Sequence, residues 1–227
     1  MRNTAIATAL AAAAMLAACS ESNYDTGDGS LSYLTAELAL LHTNHDKQVA
    51  RATLDDGTTL DMANAFATKW AATPDSVYRA LLYYDAAADG QTTVRARSVL
   101  QVPVLRMTEA DKVGTMHTDP VGVESVWTAK NGTYINMSLL LKAGKADADD
   151  AVQTIGLVSH GTTTDADGKR TLHLTLYHDQ GDVPQYYTVQ RYASIDMGDT
   201  DGADIVELTA NTYDGNKVFK IQRDGND

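Results

Sequence analysis

The chain contains one cysteine, Cys19, and it follows Leu16-Ala17-Ala18 at the end of a short apolar run. Small residues before a cysteine form the pattern of a bacterial lipoprotein signal. Cleavage leaves the cysteine as the first mature residue, and acyl chains of the palmitate type are then attached to it. A thioether-linked cysteine also spares an exported protein a free thiol that would enter unwanted disulfides. Arg2 supplies the positive start of the signal, and Ala5 to Ala14 supply an apolar stretch too short to span a bilayer. Residues 1–18 are therefore expected to be removed, with Cys19 lipidated. Several acyl chains anchor a protein stably, whereas one binds only marginally.

The other residues that could do chemistry are scattered. His42, His45 and Asp46 lie close together after a strand-like run. They offer two imidazoles, but a zinc site needs three or four ligands and an organised outer shell. His173 and His178 are five apart on a strand, so they point to opposite faces. Asp165-Ala166-Asp167-Gly168 and Asp199-Thr200-Asp201-Gly202 begin like calcium loops. An EF-hand loop ends in Glu at its twelfth position; here those positions hold Leu176 and Ala210. Ordinary Asp-Gly turns account for both, leaving at most a weak calcium site. There is no Gly-x-Ser-x-Gly elbow, and the neighbours Ser159 and His160 face opposite ways on a strand. The many carboxylates lie in turns. The expectation is no catalytic residue, no metal site and no cofactor: the protein reads as a non-enzyme.

Which elements could carry a binding surface instead? Residues 20–30 are polar, acidic and glycine-containing, and are expected to form a flexible tether. From Leu31 onward the pattern is one of strands. Residues 33–41 are apolar. Residues 48–54 alternate, Asp55-Asp56-Gly57 gives a hairpin signal, and 58–62 return. Phe66 and Trp70 lie four apart, which predicts a short helix over 63–72. Strands follow at 77–84 and 94–107. Three strands, a helix and two strands is the order of a small OB barrel with a helix plugging one end, expected over 31–108. A polar stretch from Thr108 to Asp119 separates it from about seven more strands at short spacing. These read as a β-sandwich over 119–227, immunoglobulin-like or related. The fold class is all-β.

The formal charge is −12, and becomes −13 when Arg2 leaves with the signal. So acidic a chain repels phosphate backbones, which argues against nucleic acid.

At this point the chain resembles a family, the NigD-like lipoproteins of Bacteroidetes. The likeness is carried by the lipoprotein cysteine, the acidic tether and Leu54-Asp55-Asp56-Gly57. In the second half it is carried by Thr133-Tyr134-Ile135-Asn136-Met137, by the stretch Leu172 to Asp179, and by the Tyr213-Asp214-Gly215 hairpin. The resemblance implies an OB-like N-terminal domain and a β-sandwich C-terminal domain. It implies no established activity; the family name reflects association with a bacteriocin gene cluster. The acidic stretch after Cys19 also resembles the surface-export signal of Bacteroidetes lipoproteins.

The reading that follows is a non-enzymatic, lipid-anchored interaction module. It would bind a protein or glycan partner at the cell envelope, in the outer membrane, on its periplasmic or surface face. The alternative is a bacteriocin-immunity or accessory lipoprotein, and an envelope hydrolase is the third reading. Two positions add to this. Asp75-Ser76-Val77 resembles a short Bacteroidetes O-glycosylation signal at Ser76. Leu172, Leu174 and Leu176 must face a core, and residues 185–192 are expected to lie alongside them. That placement would line up Tyr177, Tyr186 and Tyr192 as an outward aromatic ladder suited to binding.

Overall fold

The structure, a computed structural model, describes residues 34–85, 90–145 and 151–223. The signal 1–18, Cys19 and the tether 20–30 lie outside the described residues. No helix among the described residues is long and apolar enough to cross a membrane.

The first half consists of β1 (Leu34–Thr43), β2 (Val49–Leu54), β3 (Thr59–Phe66), β4 (Val77–Asp85), β5 (Thr93–Val94) and β6 (Ala96–Gln101). Alternate residues face the barrel core: Leu54 on β2, Leu60 and Met62 on β3, Leu82 and Tyr84 on β4. The sheet order is β5-β3-β2-β1-β4-β6. Only Arg95 separates β5 from β6, and this one segment pairs in parallel with β3 and antiparallel with β4. The sheet therefore curls into a barrel whose two ends are joined by one stretch of chain, which is OB topology. Asp55-Asp56-Gly57 makes the β2–β3 hairpin. Gly57 has φ 89, and the Asp56 carboxylate accepts the Thr58 N–H at 2.8 Å.

The helix expected over 63–72 does not form. β3 continues to Phe66, which pairs with Val49 across a bulge, and residues 67–76 are irregular. Sheet pairing overrides the helical spacing of Phe66 and Trp70. Both aromatics still pack against the barrel core, and Trp70 meets Tyr78 edge-on at 6.0 Å.

The second half adds β7 (Met107–Glu109), β8 (Gly122–Thr128), β9 (Tyr134–Ala143), β10 (Thr154–Thr164), β11 (Arg170–Asp179), β12 (Tyr187–Asp196), β13 (Ile205–Thr212) and β14 (Gly215–Gln222). One sheet has the order β14-β13-β11-β10-β7 and the other β12-β9-β8. Between them lies a core that includes Met137 and Leu139 of β9, Leu174 and Leu176 of β11, Ile195 of β12 and Leu208 of β13. The chain is all-β, with a β-sandwich following the barrel. The stretch 103–121 is hydrogen-bonded into the sandwich: Leu105 N–H donates to Ser194 O, and β7 pairs with β10.

Tyr177, Tyr186 and Tyr192 form no ladder. β11 pairs with β10 and β13, while β12 pairs along its whole length with β9. Tyr177 and Tyr192 therefore stand on different sheets. The turn after Asp179 carries the chain across the sandwich rather than back alongside β11.

Candidate functional site

β9 is buried on both faces. Its odd-numbered residues Ile135, Met137, Leu139 and Leu141 fill the sandwich core, while Asn136 and Ser138, on the opposite face, are also buried. β12 repeats this: Ala193 and Ile195 face the core, and Ser194 faces away yet is fully buried. The barrel covers this second face, and a polar network fills the contact. Arg79 of β4 meets Asp55 of the β2–β3 turn as a two-pronged pair, at 2.5 and 2.7 Å. The same guanidinium donates to Asn136 Oδ1 at 2.9 Å and to Ser194 Oγ at 3.2 Å. Asn136 Nδ2 donates to Asp55 Oδ2 at 2.8 Å, and Ser194 Oγ donates to Asn136 Oδ1 at 2.8 Å. The Tyr134 ring lies 4.3 Å from the guanidinium carbon. The planar, forked cation reaches Asp55 Oδ1 and Oδ2, Asn136 Oδ1 and Ser194 Oγ together, whereas a lysine has three donors on a single nitrogen.

Beside the network opens a groove of about 420 Å³. Trp127 and Tyr192 of the three-stranded sheet form one wall, edge to face at 6.5 Å. Tyr83 lies opposite, and buried Leu38 and Leu81 of the barrel pack behind these aromatics. Carboxyl groups line the rest. Glu124 accepts hydrogen bonds from Ser138 Oγ at 2.7 Å and Gln190 Nε2 at 2.6 Å. Glu37 accepts the Tyr84 hydroxyl; burial first, and that bond next, push the Tyr84 phenol well above its ordinary range. The Thr58 N–H holds the Asp56 carboxyl below its usual range. Asp55 is neutralised by Arg79. Glu37, Asp56 and Glu124 then face only Lys130 among the groove's basic residues. The groove is thus aromatic-walled and acidic, suited to a cation carried on an apolar stem.

The residues singled out in the sequence do not converge here, with one exception. Tyr192 lines the groove, whereas Tyr177 packs on His117 at 5.8 Å and Tyr186 is 78% exposed. Ser76 is half-buried, its hydroxyl donating to Pro74 O at 2.9 Å. His42 bonds Thr53 Oγ1 at 2.9 Å, and His45 approaches Asp75 rather than His42. Burial, and secondarily Arg51, hold His42 below the ordinary imidazole range. Asp165 caps its own turn, accepting from Asp167 and Lys169 N–H groups, while Asp201 pairs with Arg170 at 3.1 Å. His160 bonds Thr175 and Ser159 accepts from Gly161, so these two neighbours make no dyad. Among the described residues, one cluster has metal-ligating character: His117, Asp119 and Asp179.

The groove residues Trp127 and Glu124 and the network residues Arg79, Asn136 and Ser194 were not anticipated. The available signal was Asn136 and Ser138 alternating inside an otherwise apolar strand, which marks a second buried face rather than a solvent face.

A family model described as the NigD-like C-terminal β-sandwich domain matches residues 103–223. Among curated proteins nothing matches. Solved structures share the fold. A NigD-like immunity protein from Bacteroides caccae is 18% identical, with TM-score 0.63 over 83% of this chain and 92% of that one. A Bacteroides vulgatus protein of unknown function is 16% identical, with TM-score 0.63 over 85% and 92%. A candidate lipoprotein from Bacteroides fragilis is 14% identical, with TM-score 0.60 over 85% and 100%.

Proposed function

This chain belongs to the NigD-like family, whose β-sandwich it carries over residues 103–223, and from that premise we propose that it is a lipid-anchored envelope protein that captures a partner without chemical turnover. The observation that carries the reading is the groove between Trp127, Tyr192 and Tyr83 with its excess of carboxylates. Aromatic faces beside carboxylates hold lysine or arginine side chains through ring contact and charge together. The favoured partner is therefore a protein with an exposed basic segment. Leu16-Ala17-Ala18-Cys19 supports the anchor, and the likeness to the Bacteroides fragilis candidate lipoprotein agrees with it.

The groove is tested by cross-linked capture from intact cells, comparing wild type with Glu124→Gln and Trp127→Ala. Capture of one partner is expected to fall at least about tenfold in each variant and to weaken with salt, since partly exposed charges are screened over about 8–10 Å. Capture that ignores salt and Glu124→Gln but is competed by oligosaccharide would replace the protein partner with a glycan. The anchor is tested by metabolic labelling with a fatty-acid analogue, which should mark wild type and leave Cys19→Ala unmarked.

A second reading, an immunity or accessory role, draws on the likeness to the Bacteroides caccae immunity protein. It requires that expression of this chain protect a sensitive cell from a secreted toxin; unchanged killing would remove it.

A further inference from the structure

We propose that His117, Asp119 and Asp179 form a binding site for a divalent transition ion of the Zn²⁺ class. The site is separate from the groove and does not depend on the partner reading.

Its geometry follows from a short parallel ladder. Thr118 bridges His178, His178 N–H donates to His117 O at 3.1 Å, and Asp119 N–H donates to His178 O at 2.9 Å. Side chains alternate across such a ladder. Residues 117 and 119 therefore share one face with 177 and 179, while Thr118 and His178 share the other. The first face carries His117 against Tyr177, in ring contact, and Asp119 against Asp179. One ligand atom from each of His117, Asp119 and Asp179 lies within 4.8 Å of the others, and His117 Nδ1 is 3.7 Å from Asp179 Oδ1.

Two observations point to a cation there. Two like charges directly opposite on neighbouring strands destabilise the pairing, yet among the described residues no lysine or arginine forms an ion pair with Asp119 or Asp179. The ligands are also oriented in advance. Asp119 Oδ2 accepts the Gln180 N–H at 2.7 Å, and Asp179 Oδ1, the oxygen nearest His117, accepts the Gly181 N–H at 2.9 Å; among the described residues the second oxygen of each carboxylate has no hydrogen-bond partner. Buried His178 locks the base of the ladder: its Nδ1–H donates to Asp119 O at 2.8 Å while Nε2 accepts from Gln153 at 3.0 Å. Fixed outer contacts of this kind are what hold metal ligands in place.

An imidazole nitrogen with two carboxylates suits Zn²⁺ better than Ca²⁺, which prefers six to eight oxygens. Bonds of about 2.1 Å in a tetrahedron set ligand atoms about 3.4 Å apart, so small side-chain rotations close the set. A cavity of about 370 Å³ opens beside His117 and Tyr177.

The test is calorimetric titration of Zn²⁺ into the full chain carrying Cys19→Ala, which removes the thiol as a competing ligand. One equivalent is expected to bind saturably in the micromolar range or tighter. His117→Ala should weaken it at least about tenfold, and Asp119→Asn with Asp179→Asn should abolish it. Because Asp119 also braces the backbone, the His117→Ala result decides, read alongside an unchanged circular-dichroism melt without metal. Co²⁺ added to the same protein should give a visible absorption band that His117→Ala loses. No saturable Zn²⁺ binding, binding of Ca²⁺ alone, or Zn²⁺ binding that survives His117→Ala would each overturn the proposal.

Discussion

Arg79 is the residue on which the contact between the two halves turns. Its side chain is 1% exposed, and it spends its donors on Asp55, Asn136 and Ser194. Removing one member of such a pair leaves the other charge buried without compensation. Arg79→Met is therefore expected to destabilise the protein by about 3–5 kcal/mol, measured by denaturant unfolding. Arg79→Met combined with Asp55→Leu should cost clearly less than the two single changes added, because neither charge is then stranded. A double variant that is merely additive would show that Arg79 and Asp55 act independently. Asn136 was already visible in the sequence as part of Thr133 to Met137, but only as a family marker. Its task, linking both charged groups, depends on residues 57 and 81 positions away.

At the scale of elements, the decisive choice is where the chain goes after β11. It crosses to β12, which pairs with β9 instead of β11. The crossing is pinned where Gly144, just past β9, packs on Pro184. A Cβ on Gly144 would sit 2.8 Å from Pro184 O and 2.9 Å from Pro184 Cβ and Tyr186 Cδ2. The Pro184 carbonyl and ring atoms have little freedom to yield. Gly144→Ala is expected to cost about 1–3 kcal/mol by overpacking and to lower hydrogen-exchange protection along β12 more than along β11. Equal loss on both strands would place the strain elsewhere. β3 teaches the related lesson for local signals. The helical spacing of Phe66 and Trp70 is real, and both side chains do reach the barrel core, but backbone pairing with β2 sets the conformation up to Phe66.

For the whole molecule, the described residues from Thr35 onward make one compact unit. The two halves share a buried polar network, and Leu38, Leu81 and Val102 of the barrel side pack with Trp127 and Tyr192 of the sandwich. Neither half can separate without exposing Asn136, Ser194 and the Arg79–Asp55 pair. Calorimetric unfolding of the chain is thus expected to show a single transition with equal calorimetric and van't Hoff enthalpies. Two resolved transitions would show that the contact contributes little. The groove is a product of this scale alone, since its walls come from β1, β4, β8 and β12.

Alternation and turn chemistry in the sequence were enough to determine an all-β chain with a barrel first and a sandwich second. They also determined that Leu172, Leu174 and Leu176 face a core, because side-chain direction on a strand has a period of two. The Asp55-Asp56-Gly57 and Tyr213-Asp214-Gly215 hairpins were legible because a glycine at positive φ marks them locally. What alternation does not encode is the neighbour of each strand. A period of two fixes the face and leaves the partner open, so the tyrosine ladder failed while the leucine core held. Tertiary structure alone decided that the far face of β9 would be covered, which turned Asn136 and Ser138 from surface polar residues into the floor of a contact. It also decided that His117 and Asp119 would stand beside Asp179, about sixty residues away in the chain. Such meetings are set by which apolar faces must be buried against one another, and that is a property of the whole chain.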